Sequence, residues 1–132
     1  PTWGPVAPHP TAGAVAVGAR PLLVAYNLWM DEGCTLERAR EVARAVRGPA
    51  LRALGLRVGD RVQVSMNLVD PSVLGPGEAW DTVAAHAPVA GAELVGLVPA
   101  SVLDRTPEER WERLDLGPER TIEARVEALG PR

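Results

Sequence analysis

Lysine and phenylalanine are absent from this chain of 132 residues, and cysteine occurs once, as Cys34. A single cysteine excludes an internal disulfide and favours a reducing compartment, so we expect a cytoplasmic location. The chain has no run of about 18 apolar residues, which excludes an ordinary membrane-spanning helix. The formal net charge of −3 argues against a general polyanion binder. These absences favour an ordinary soluble domain that keeps away from membranes and nucleic acids.

Motifs for metal and phosphate binding are also missing. Cys34, His9 and His86 lack the spacing of a metal-ligand set, so we expect no metal site. No glycine-rich loop occurs between a strand and a helix in the pattern that cradles phosphates.

The chain begins at Pro1 without an initiator methionine, and we expect it to be a fragment of a longer polypeptide.

Three strand-like segments carry polar side chains at alternating positions within otherwise apolar sequence. The segments are 21–28, 61–68 and 93–99, and the polar side chains are Asn27, Gln63, Ser65, Asn67 and Glu93. Because side chains alternate between the faces of a strand, Gln63, Ser65 and Asn67 share one face. A sheet face that is partly polar is where we expect a ligand or a partner to bind.

The order of elements predicts an α+β fold. Strands are predicted at 21–29, 51–58, 61–69 and 93–99, and helices at 36–47 and 78–86. Gly59-Asp60 marks a hairpin turn between the second and third strands. The order β-α-β-β-α-β is the ferredoxin-like unit, a four-stranded antiparallel sheet with both helices on one face. The other face is then bare, and it is the face that carries the polar side chains.

The length predicts a single domain with three parts. Residues 1–13 form an irregular leading segment, 14–99 the ferredoxin-like core, and 100–132 a helical extension. Within the extension, Thr106-Pro107-Glu108-Glu109 has the spacing of a helix start. The segment 119–129 fits helical spacing and also alternates as a strand would. We prefer a helix because Pro118 suits its first turn and Gly130-Pro131 its end.

Four motifs resemble the C-terminal subdomain of glutamate formimidoyltransferase (formiminotransferase), in the order of that family and over nearly the whole chain. They are Pro1-Thr2-Trp3-Gly4-Pro5, Gly18-Ala19-Arg20-Pro21-Leu22-Leu23-Val24-Ala25-Tyr26-Asn27, Gln63-Val64-Ser65-Met66-Asn67-Leu68 and Leu94-Val95-Gly96-Leu97-Val98-Pro99. The transferase region of that family is built of two ferredoxin-like halves, which agrees with the element order read from the sequence.

The resemblance implies a transferase of histidine breakdown. That family moves the formimino group of N-formimino-L-glutamate to tetrahydrofolate, the co-substrate, and folate is expected to lie between the two halves. The general-base histidine of the family belongs to the N-terminal half, and no residue here corresponds to it. The resemblance therefore implies a partner, the N-terminal subdomain, and a chain that does not turn over alone.

The resemblance also gives candidate roles to individual residues. Arg20 could grip a glutamate carboxylate, or could be an ordinary ion-paired arginine at a strand end. Glu93 could orient a protonated formimino nitrogen or a substrate amine, or could be a solvated residue at the first position of a strand. His9 is better explained as a solvated side chain on a proline-bounded loop, and His86 as a favourable charge at a helix C-terminus.

The four neutral polar side chains admit two explanations. They could bind pterin edges and amides, or they could serve the fold, either at an interface between subdomains or through local hydrogen bonds to the backbone. The residues concerned are Asn27, Gln63, Ser65 and Asn67.

Two rival functions follow from the same fold. The first is an interaction module that forms a homodimer, or pairs with another chain, through the bare sheet face. Its apolar contacts would come from Leu23, Ala25, Trp29, Val95 and Leu97. The second is RNA binding, which is disfavoured because the sheet offers only Tyr26 and Trp29 as aromatics in an acidic chain.

Overall fold

A computed structural model describes residues 4–130 and confirms the ferredoxin-like order of elements. The core elements are β1 (Val24–Met30), α1 (Leu36–Ala45), β2 (Leu51–Val58), β3 (Arg61–Leu68), α2 (Pro76–Ala84) and β4 (Val89–Val95). The four strands form one sheet in the order β2-β3-β1-β4, and all neighbours are antiparallel. The two-residue turn Gly59-Asp60 joins β2 to β3, and the positive φ of 58° at Gly59 explains the glycine there.

One face of the sheet is buried under both helices. Val24, Tyr26, Leu28 and Val64 are each fully buried, and they belong to the same apolar cluster as side chains of both helices. The helical members of that cluster are Ala39, Val42, Ala43, Ala79, Trp80 and Val83. The α1 members were expected from the helical spacing of the sequence. Helices therefore cover one side of the sheet and leave the other side bare.

The Thr35 side chain caps helix α1 by accepting a hydrogen bond from the backbone N–H of Arg38, at 3.1 Å.

Helix α1 lies very close to β2. A Cβ placed on Gly55 would lie 2.5 Å from the carbonyl carbon of Ala39 and 2.7 Å from the Cα of Arg40. Only a glycine at this position of β2 allows the helix backbone to approach so closely.

The last core strand is displaced from its expected position. The sequence predicted a strand over 93–99, whereas β4 covers Val89–Val95 and its residues pair with β1. The chain turns away at Gly96, where φ is 93°. Val98 then forms an isolated parallel bridge with Thr121 of the C-terminal extension. Glu93 is therefore an interior residue of β4, whereas the prediction made it the first residue of the strand.

The described part of the extension, residues 100–130, contains two α-helices, α3 (Ala100–Asp104) and α4 (Ile122–Leu129). The α4 assignment confirms a helix over the alternative strand, and its Thr121 cap accepts a hydrogen bond from the N–H of Ala124. The expected helix start near Thr106 produces only a short 3-10 turn, Glu108–Arg110, and α3 was not predicted. A second 3-10 turn, Pro118–Arg120, precedes α4.

The extension hydrogen-bonds to the free edge of β4 at Leu94. The backbone N–H of Leu94 donates to the Asp115 carboxylate at 2.7 Å, and the Arg120 guanidinium donates to the Leu94 carbonyl at 2.5 Å. The Tyr26 hydroxyl donates to the Leu114 carbonyl at 2.9 Å from within the core. The extension thus joins the helix-covered side and protects a sheet edge that would otherwise invite another strand.

Residues 4–22 run before β1 and are exposed throughout. No helix among residues 4–130 is long and apolar enough to span a bilayer.

Candidate functional site

The candidate site is the sheet face that the helices leave bare, which we call the open face. Its side chains are Ala25, Asn27, Trp29, Arg52, Leu54, Leu56, Arg61, Gln63, Ser65, Asn67, Glu93 and Val95. They alternate along each strand with the side chains buried beneath the helices. The strand register arranges them in rows that cross the sheet.

The central row joins all four strands. Leu54 of β2 lies opposite Ser65 of β3, Ser65 lies opposite Asn27 of β1, and Asn27 lies opposite Glu93 of β4. The Asn27 side-chain amide donates to the Glu93 carboxylate at 3.0 Å. Both side chains of this pair are half-buried, although helices cover neither of them. The pair holds its amide and carboxylate in fixed orientations at the middle of the face.

A second row carries the aromatic side chain of the face. Trp29 lies opposite Gln63, and Gln63 lies opposite Leu56. The Arg61 guanidinium stacks on the Trp29 ring, 4.3 Å from its centroid. Trp29, which the sequence offered as an apolar contact of the bare face, is thus a flat aromatic ring on this face.

The third row carries a cation at the other end of the face. Arg52 of β2 lies opposite Asn67 of β3, which lies opposite Ala25 of β1. A surface cavity of about 420 Å³ is bounded here by Arg47, Arg52, Ser65 and Asn67, among other residues. Sequence reasoning missed Arg52 because Ala and Gly dilute the β2 pattern and hide its alternation.

All the amide side chains of the chain lie on this one face. The sequence contains two asparagines, Asn27 and Asn67, and one glutamine, Gln63. They lie on two adjacent strands, β1 and β3. Neutral amides offer both donors and acceptors, which suits a ligand that presents both in turn. This scarcity of amides elsewhere was a signal available in the sequence.

The structure brings five of the six predicted site residues together and leaves one apart. The five on the open face are Asn27, Gln63, Ser65, Asn67 and Glu93. Arg20 lies in the exposed segment before β1, where its guanidinium donates to the Pro21 carbonyl at 3.2 Å. The chain nevertheless enters β1 at the end of the sheet where Arg52 and Asn67 lie.

Neither histidine lies on the open face. The Nδ1 atom of His9 accepts hydrogen bonds from the N–H groups of Thr11 and Ala12, at 3.3 and 3.1 Å. His86 is exposed just beyond the end of α2. Within residues 4–130 no group of three or more His, Cys, Asp and Glu side chains is arranged to hold a metal ion.

Apolar side chains share the open face with the polar ones. Leu54, Leu56 and Val95 are 55%, 39% and 50% exposed, respectively. Of the apolar contacts expected from the sequence, Ala25, Trp29 and Val95 lie on this face, whereas Leu23 precedes β1 and Leu97 follows β4. A mixed face with exposed leucines and oriented amides is typical of a surface that another molecule covers.

Three curated proteins are similar to this chain. The chain is 36% identical over 115 residues to the glutamate formimidoyltransferase of Streptococcus pyogenes serotype M1, an alignment that takes 78% of the chain and 38% of that protein. It is 32% identical over 121 residues to the formimidoyltransferase-cyclodeaminase of Sus scrofa and 33% identical over 121 residues to that of Gallus gallus. The chain spans 22% of the length of each of these two relatives. No protein-family model matches the chain.

The fold and the site define an α+β domain of ferredoxin-like architecture with one polar, uncovered sheet face. The sequence comparisons then identify this chain as a domain related to the glutamate formimidoyltransferases, confirming the resemblance carried by its motifs.

Proposed function

We propose that this domain forms one wall of a folate site in a formimidoyltransferase, and that an amino-terminal half supplies the opposite wall. In the proposed reaction the formimino group of N-formimino-L-glutamate passes to tetrahydrofolate, as in histidine degradation. The formimino carbon forms a bond to a folate nitrogen and its bond to the glutamate nitrogen breaks. The observation that carries this proposal is the clustering of all three amide side chains on the open face.

The chemistry of the open face fits tetrahydrofolate. A pterin presents alternating N–H donors and acceptors on a flat ring, and side-chain amides match such an edge with either donor or acceptor. Trp29 offers a ring for stacking, and Leu54 and Leu56 offer apolar contact. The Glu93 carboxylate, held by Asn27, is suited to orient a protonated formimino nitrogen.

The length of the relatives supports the proposal that an amino-terminal half completes the transferase. The chain covers 38% of the Streptococcus pyogenes relative, so most of that protein lies outside the matched region. The exposed Leu54, Leu56 and Val95 favour a protein partner that covers the face together with the ligand. In the formimidoyltransferase family the general base belongs to the amino-terminal half, so we expect no turnover by this chain alone. A free Cys34 agrees with a reducing, cytoplasmic setting.

Titration with folinic acid tests the proposed function. We expect saturable binding when this chain is combined with an amino-terminal half, and weak or no binding to either piece alone. Ser65→Ala should lower the affinity of the combined protein, because Ser65 lies in the central row of the face. Ser101→Ala is the matched control, since Ser101 is exposed on α3 outside the sheet.

Light scattering distinguishes the folate site from the rival function, an interaction module that pairs through the open face. A stable homodimer of this chain that ignores folinic acid, together with no folinic acid binding by the combined protein, would replace the folate site with a protein-pairing surface.

A further inference from the structure

The two ends of the open face differ in chemistry. One end, which we call the ring end, consists of Trp29, Arg61 and Gln63. The other, which we call the arginine end, consists of Arg52 and Asn67 with Arg47 beside them. The two ends are joined by β3, on which Gln63 and Asn67 are four residues apart, or about 13 Å along a strand.

The ring end contains an unsatisfied acceptor. Gln63 is 6% exposed, and its Oε1 atom is buried without a hydrogen-bond partner. Among the side chains of residues 4–130 it is the only buried nitrogen or oxygen atom in that condition. Burying a carbonyl oxygen without a donor costs free energy, so native proteins avoid it unless the group has a role. On the open face Gln63 lies opposite Trp29, which is flat and apolar, and opposite Leu56, which is apolar and flexible. Such neighbours suit an inserted ring.

The arginine end contains an uncommitted cation. Arg52 is exposed, and within the described part of the chain it makes no ion pair or side-chain hydrogen bond. Arg61 at the ring end differs, because its guanidinium is already stacked on Trp29. Arg47 is also engaged, since its Nε donates to the Ala53 carbonyl at 2.8 Å. A guanidinium without a partner beside an amide is suited to bind a carboxylate with two parallel hydrogen bonds.

We propose that folate lies along β3 in one orientation, with its pterin at the ring end and its glutamate carboxylates at the arginine end. This orientation rests on the proposed folate site. The pterin ring inserts beside Trp29 and gives an N–H donor to the Gln63 Oε1 atom. The aminobenzoyl group crosses the central row at Ser65 and Asn27, and the α- or γ-carboxylate pairs with Arg52.

Truncated ligands test the orientation, because each lacks the group that one end is proposed to bind. The combined protein is titrated with folinic acid, with 5-formyltetrahydropteroic acid, which lacks the glutamate, and with p-aminobenzoyl-L-glutamate, which lacks the pterin. Arg52→Ala should weaken folinic acid about tenfold, the effect of one charge-assisted contact, and leave the glutamate-free ligand within about twofold. Arg57→Ala is the matched control, since Arg57 lies on the same strand but alternates to the opposite side. It should change neither affinity.

Trp29→Leu should show the reverse pattern. It should weaken both pterin-containing ligands about tenfold and leave p-aminobenzoyl-L-glutamate unchanged, because stacking on the ring is lost. An Arg52→Ala effect that is equally large for the glutamate-free ligand would overturn the orientation. So would a Trp29→Leu effect confined to p-aminobenzoyl-L-glutamate. Failure of the unmodified combined protein to bind folinic acid would instead overturn the proposed folate site.

Gln63→Met separates a binding role from a structural one. Methionine has a similar shape and no carbonyl, so the substitution removes the buried acceptor that lacks a partner. The Tm of the ligand-free chain should therefore rise by roughly a few degrees, the effect expected from removing one unsatisfied polar group. The same change should weaken folinic acid about tenfold. A lower Tm with unchanged affinity would show that Gln63 serves the fold and would remove it from the ring end.

Discussion

The two faces of the sheet carry different side chains although they belong to the same four strands. On the helix-covered face, Val24, Tyr26, Leu28 and Val64 are fully buried, and each fills the core. On the open face the amides of Asn27, Gln63 and Asn67 are held among partly exposed leucines. The covered face specifies the fold and the open face is free to specify a ligand. Substitutions on the two faces should therefore have separable effects.

Truncation of a core leucine should give the largest difference between the faces. Leu28→Ala removes a side chain with 0% exposure and should lower the free energy of unfolding by about 2–5 kcal/mol. Leu54→Ala, on the open face and 55% exposed, should cost less than about 1 kcal/mol in this chain. Urea unfolding measures both. Equal losses for the two variants would contradict the assignment of one face as bare.

A methyl group at Gly55 tests how tightly α1 covers the sheet. Gly55→Ala places a Cβ against the backbone of Ala39 and Arg40, so the helix must shift, at a cost of about 1–3 kcal/mol. Gly91→Ala is the control, since Gly91 is also a strand glycine and a Cβ there meets nothing within 4 Å. Thermal unfolding compares them. A Gly55→Ala variant as stable as Gly91→Ala would show that α1 does not lie so close.

The Tyr26 hydroxyl should make stability depend on alkaline pH. Burial, with a smaller contribution from Asp115, raises the pKa of Tyr26 well above its ordinary value of 10.0. The unfolded chain therefore ionises this group first. The native state therefore keeps its full stability below about pH 10. Above that pH the free energy of unfolding falls by about 1.4 kcal/mol per pH unit.

Tyr26→Phe should remove that alkaline loss. It should also cost about 1 kcal/mol at neutral pH, because the hydrogen bond to the Leu114 carbonyl is lost. The chain has no lysine and no other tyrosine, so few groups compete in this range. Burial also raises the pKa of Cys34, and the titration is best done in a Cys34→Ser background. An unchanged alkaline slope in Tyr26→Phe would contradict the assignment.

The smallest effect on stability is expected from the pair at the centre of the open face. Glu93→Ala removes a half-buried cross-strand contact with Asn27 and should change the free energy of unfolding by about 0.2–1 kcal/mol. Its effect on folinic acid affinity in the combined protein should be larger, about tenfold, because a charged contact is lost. Large destabilisation with unchanged affinity would place Glu93 in the fold and outside the site.

Local signals in the sequence were sufficient for most of the core. The alternation in 61–68 and the turn at Gly59-Asp60 located β2 and β3 within a residue, because both features act over short distances. β4 was misplaced because Ala90, Gly91 and Ala92 give a weak pattern, whereas Leu97 and Val98 look like strand residues. The edge contacts of Asp115 and Arg120 with Leu94 join distant segments, so no local pattern could predict them.

The candidate site was predicted in part for the same reason. Face alternation alone placed Gln63, Ser65 and Asn67 together. The stacking of Arg61 on Trp29 and the position of Arg52 beside Asn67 depend on the register between strands. Register is set by tertiary packing and by turn geometry, which a single sequence does not display.

The side-chain amides themselves offer the most direct test of the central claim that the open face binds folate. In a sample in which only this chain carries ¹⁵N and is combined with an unlabelled amino-terminal half, the carboxamide NH₂ signals come from Asn27, Gln63 and Asn67 alone. We expect folinic acid to shift these NH₂ resonances in a saturable manner. Saturable folinic acid binding that leaves all three NH₂ pairs unmoved would contradict the account.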